Sequence, residues 1–172
     1  PLFSFRASDL AQGMPVAEYR TVLQQMTAEF QKEFPKEAAT TLVLDPTQPL
    51  MPQLEVFIKQ AAATSGSLND ADRGILSREI DSMQDTLNTN KAERGTNKGI
   101  AALTSTLELN GSTYHIIAAP SNRYEKAAVE MLIAHEMIHA VQPSHANENT
   151  GVGNFSGDQV RNEWRSQIAQ YS

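Results

Sequence analysis

A chain of 172 residues can bury one substantial core, and a single domain over residues 1–172 is the expectation. With 40% hydrophobic and 20% charged residues it reads as an ordinary globular protein, and no apolar run approaches the roughly 18 residues that a membrane span needs. A formal charge of −6 argues against nucleic acid as a partner, and the absence of cysteine excludes disulfides, thiolate zinc knuckles and a cysteine nucleophile.

The opening Pro1-Leu2-Phe3-Ser4-Phe5-Arg6 lacks the long apolar core of a signal peptide, and a first residue other than methionine is what a processed chain would show. From Pro15 to Phe34, the spacing of Val16, Tyr19, Leu23, Met26, Phe30 and Phe34 predicts one face of a helix that Pro35 ends. Leu42-Val43-Leu44 is a candidate strand before the turn signals Pro46 and Pro49. A second helix is expected over Leu54 to Ala63, broken by Ser65-Gly66-Ser67. A third begins with Ser67 or Asn69 as N-cap and carries Ile75, Leu76, Ile80, Met83 and Leu87 on one stripe.

Asn88 to Lys98 is polar and reads as an exposed loop. Leu103 to Leu109 then alternates apolar with polar, Asn110-Gly111 is the preferred type I′ turn, and Ser112 to Ala118 supplies the return strand of a hairpin. His115 in that strand reads as structural. Ser121 or Asn122 can cap a helix running to Val141, where Pro143 stops it, and beyond a Gly- and Asn-rich loop Asp158 caps a last helix with Val160, Trp164, Ile168 and Tyr171 facing the core.

The chain has four histidines, and three of them, His135, His139 and His145, fall close together. Ala134-His135-Glu136-Met137-Ile138-His139 is an H-E-x-x-H motif behind the apolar lead Val129 to Ala134. On a helix, positions i and i+4 lie about 40° apart, so His135 and His139 can both aim a ring nitrogen at one ion, here one zinc per chain. Glu136, offset by about 100°, falls beside the pair and is placed to act on a water at the metal without ligating it. Catalytic zinc takes three protein ligands, and two candidates exist for the third. His145, six residues past His139, is preferred, since Pro143 lets the chain turn back toward the ion. Glu163 on the last helix is the alternative, with a supporting hydrogen bond to a ligand histidine as its other role.

This stretch resembles the zincin metallopeptidases. The three histidines keep metzincin spacing, while Gln142 stands at that family's turn glycine and no methionine follows Met137 to form a Met-turn. From Ala128 to His145 it resembles more the NleC-like zinc proteases that bacteria deliver into host cells by type III secretion, with His145 where that class has an aspartate. The resemblance implies a zincin-like α+β fold, mostly helical, with a small antiparallel sheet or hairpin beside the active-site helix. It implies a zinc endopeptidase secreted into the host cytoplasm, acting on a host signalling or transcription protein such as an NF-κB subunit. A net acidic chain suits a substrate surface built to hold DNA.

In the peptidase reading, His135, His139 and His145 hold zinc, Glu136 is the general base, and Tyr171 is a candidate oxyanion donor. The strand before the helix can pair with an extended substrate backbone. Neither a membrane nor nucleic acid is called for, and a monomer is the default. The rival readings are a zinc-stabilised binding module without catalysis and a zinc amidase acting on a non-protein amide.

Overall fold

The structure, a computed structural model, describes residues 13–92 and 101–141. His145, Glu163, Tyr171 and the expected final helix lie outside the described residues, as does most of the expected loop at 88–98.

Helix α1, Val16–Glu33, buries Tyr19, Val22, Leu23, Met26 and Phe30 at three- and four-residue spacing. The predicted stripe is corrected at one end, because Val16 lies in the first turn and stays exposed while Val22 joins the core. Phe34 leaves the helical region because Pro35 crowds the residue before it, and Pro35 then opens a single further turn, α2, Pro35–Ala38. Strand β1 is Thr41–Leu44. Helix α3, Leu50–Ser65, starts four residues before the predicted Leu54. Pro49 reads as a turn signal in the sequence, yet it sits just before the helix, and Pro52 lies in its first turn, where no backbone N–H has an intrahelical acceptor to lose.

Helix α4, Asp70–Ala92, is opened by a reciprocal cap. The Asp72 N–H donates to Asn69 Oδ1 at 2.8 Å and the Asn69 N–H to Asp72 Oδ2 at 3.2 Å, so Asn69 rather than Ser67 is the N-cap. The helix runs on to Ala92, converting the start of the predicted loop at Asn88 into its last turn. Strands β2, Leu103–Leu109, and β3, Ser112–Ala118, form the expected hairpin, with Asn110 (φ 53°) and Gly111 (φ 76°) both left-handed as a type I′ turn demands. Asn110 Nδ2 also donates to Asp72 Oδ2 at 2.9 Å, which ties the turn to the start of α4.

The sheet order is β1-β3-β2, with β3 parallel to β1 and antiparallel to β2. The fold is therefore α+β, mostly helical as expected, but its sheet is mixed rather than antiparallel. The short apolar run before the turn signals marked β1 as a candidate strand and could not name its partner, which arrives more than seventy residues later, after two helices. Both faces are covered. Leu42, Leu44, Tyr114, Ile116 and Ala118 pack with α3 and α4, while Ile117, Ala119 and Val43 pack with α1 and the last described helix, α5, Lys126–Val141. This accounts for the unbroken burial of Tyr114 to Ala118, which is what a central strand between two helical layers requires.

Helix α5 starts at Lys126, not at Ser121 or Asn122, so neither is its cap. Asn122 is occupied elsewhere: its Nδ2 donates to the Met14 carbonyl at 2.9 Å and its own carbonyl accepts from the Met14 N–H at 2.7 Å. This close approach needs Gly13, since a Cβ there would sit 2.9 Å from the Asn122 oxygen at a backbone φ of +42°. Among the described residues, no helix is long and apolar enough to cross a membrane.

Candidate metal centre

Helix α5 is buried around most of its circumference from Ala128 to Ala140, with His135 and His139 half-buried. The one-turn spacing puts the rings edge to face at 87°, centroids 4.4 Å apart, and brings the two Nε2 atoms to 2.8 Å. Glu136 lies beside them at 8% exposure. One ligand atom from each of the three residues falls within 4.8 Å of the others, the only such group among the described residues. His115 takes no part in it; buried in β3, it bonds through Nδ1 to Thr106 Oγ1 at 3.0 Å across the hairpin, and burial lowers its pKa against the raising pull of Glu37. That is the structural role expected of it.

Glu136 is held by a residue that the sequence reading left among solvent-facing strand positions. The Thr104 hydroxyl of β2 lies 2.6 Å from Glu136 Oε2 and 3.1 Å from the Glu136 backbone carbonyl. Its one proton serves the shorter, charge-assisted contact. Alternation marks Thr104 as lying opposite Leu103, but only the second helical layer turns its face toward α5.

Burial sets the titration of all three groups. It pushes Glu136 up to about 7, with the Thr104 hydrogen bond pulling the other way. It lowers His135 to about 4, helped by the nearby His139, and it lowers His139 too. The imidazoles are thus neutral at physiological pH, the state in which a ring nitrogen can ligate a metal. At 2.8 Å the two Nε2 atoms are within hydrogen-bond distance, which requires a proton on one of them. Two nitrogens bound to one tetrahedral zinc at ~2.05 Å stand about 3.3 Å apart, so a small opening of the rings lets an ion replace that proton. The residues present fit a zinc ion with two imidazole ligands; His145 and Glu163, the candidates for the third, lie outside the described residues.

The raised Glu136 pKa has a measurable consequence in chelator-treated protein. Between its unfolded value of 4.5 and about 7, the folded state holds a proton that the unfolded state has released, so stability is lost as pH rises through that window. Glu136→Gln removes this loss while the imidazoles contribute alike to both proteins. The variant is expected to gain on the wild type by up to about 3 kcal/mol between pH 4.5 and pH 7, a difference that urea titrations at both pH values would resolve.

The chain matches no protein-family model, and neither curated proteins nor solved structures give a match.

Proposed function

We propose that the protein is a zinc-dependent endopeptidase of zincin-like arrangement, with His135 and His139 as metal ligands, His145 as the third, and Glu136 as general base. The observation that carries this reading is the buried carboxylate beside two converging neutral imidazoles, since a structural zinc site has no use for an unligated acid. A zinc ion there supplies Lewis acidity, polarising the scissile carbonyl and making a water nucleophilic at neutral pH.

Glu136 takes the water's proton and delivers it to the leaving amine. Its desolvated carboxylate is a stronger base than an exposed one, and Thr104 fixes which oxygen faces the reacting centre. Burial of Glu136 between α5 and β2 leaves it little access to bulk water. β2 is an edge of the sheet and borders the same helix, which supports binding of a substrate strand in extended form along it. In this reading the substrate is a host signalling or transcription protein and the enzyme is a secreted effector, by resemblance of the motif stretch alone.

Thr104 is a positioning residue in this scheme. Thr104→Val is expected to raise the acid limb of the kcat/KM pH profile and lower the value at pH 6 by about tenfold, as loss of a hydrogen bond to a charged acceptor implies, while Thr104→Ser restores both. Incubation with unfolded and native candidate proteins, with and without chelator, tests the function itself. Chelator-sensitive fragments support the peptidase; zinc binding with intact proteins points to a binding module, and release of ammonia or amine from non-protein amides points to an amidase.

A further inference from the structure

The other edge of the sheet carries a second feature, separate from the metal centre. In the parallel β1–β3 ladder, the His115 N–H donates to the Thr40 carbonyl at 2.9 Å and the Ala119 N–H to the Leu44 carbonyl at 3.2 Å. Even-numbered residues of β1 therefore turn their backbone groups toward β3, and Thr41, Val43 and Asp45 turn theirs away from it. At Asp45 the outward rung is closed by a side chain. Its N–H donates to Gln53 Oε1 at 2.8 Å and its carbonyl accepts from Gln53 Nε2 at 2.9 Å, so one amide takes the place of a strand residue. Among the described residues, the outward N–H and C=O of Thr41 and Val43 make no such bond.

Thr41 and Val43 line a groove of about 400 Å³ together with residues of α1 and α3. Among the described residues no lining side chain is charged; Gln31 and Gln60 contribute amides, and Val56, 56% exposed, and the buried Phe57 contribute apolar surface. We propose that β1 receives, as a fourth strand, an extended and uncharged stretch of a partner polypeptide. Backbone pairing with Thr41 and Val43 supplies the binding, and the charge-free walls disfavour acidic or basic side chains, which would be desolvated without a counter-charge. The β1 edge of a second folded copy does not fit as occupant, because it lies between the same two helices and cannot descend into the groove.

The probe is an acetylated, amidated pentapeptide alternating threonine and valine, titrated into chelator-treated wild-type protein so that cleavage plays no part. Amide NMR shifts and slowed hydrogen exchange are expected at Thr41 and Val43. The same peptide N-methylated throughout, and a version with lysine for valine, should each bind at least about tenfold more weakly. Val43→Pro removes one outward donor and no sheet hydrogen bond, a substitution edge strands tolerate, and should weaken the parent peptide about tenfold as well. If that variant does not fold, the N-methylated comparison on the wild type decides alone. Equal binding of the N-methylated peptide, shifts confined to other elements, or no binding at millimolar peptide would overturn the proposal.

Discussion

Glu136→Gln is expected to bind one zinc per chain as the wild type does and to lose peptide hydrolysis by a factor of at least about a hundred, the contribution usual for a positioned general base. Glutamine keeps the volume of the buried side chain and can still accept the Thr104 hydroxyl, which lies 2.6 Å from Oε2 in the wild type, so the pocket should not rearrange. What it cannot do is take a proton. Zinc stoichiometry by elemental analysis and kcat/KM on a cleavable substrate check the two halves separately. Loss of zinc together with activity would make Glu136 a ligand instead of a base; retained hydrolysis would remove it from the chemistry.

The second large effect is on the metal itself. His135→Ala and His139→Ala each delete one of the two converging nitrogens, and zinc affinity should fall by more than about a hundredfold, beyond the loss typical of residues that only support a ligand. At zinc a thousandfold above its Kd, the wild type gains about 4 kcal/mol of stability from binding, read as a rise in Tm that should shrink to about a third or less in either variant. His115→Gln serves as the contrast. Its parent bonds to Thr106 and stands outside the histidine–glutamate group, so the variant should lose stability while keeping the zinc-dependent rise.

What the sequence disclosed followed the range of the forces involved. Helical spacing marked Tyr19, Leu23, Met26 and Phe30 because each turn of a helix reports its own burial, and Asn110-Gly111 marked the hairpin because its left-handed backbone is a local demand. The imidazole pair was legible for the same reason, being one turn of one helix. Long-range pairings were hidden. Nothing near Leu42 announces Ile116 as its neighbour, and Thr104 reads as a solvent-facing hydroxyl until α5 covers that side of the sheet. Local signals also misled where position reverses their meaning, as at Pro49, which marks a turn in isolation and a helix start in place. Asn122 has the chemistry of an N-cap and spends it on Met14.

Zinc on the histidine pair is tested most directly by an anomalous-difference map collected across the zinc absorption edge from crystals of the zinc-loaded protein. A single peak is predicted ~2.0–2.1 Å from Nε2 of both His135 and His139, with the third protein ligand visible beside it and Glu136 outside bonding distance. Zinc-loaded crystals with no peak between those two nitrogens, and the rings still sharing a hydrogen bond, would contradict it.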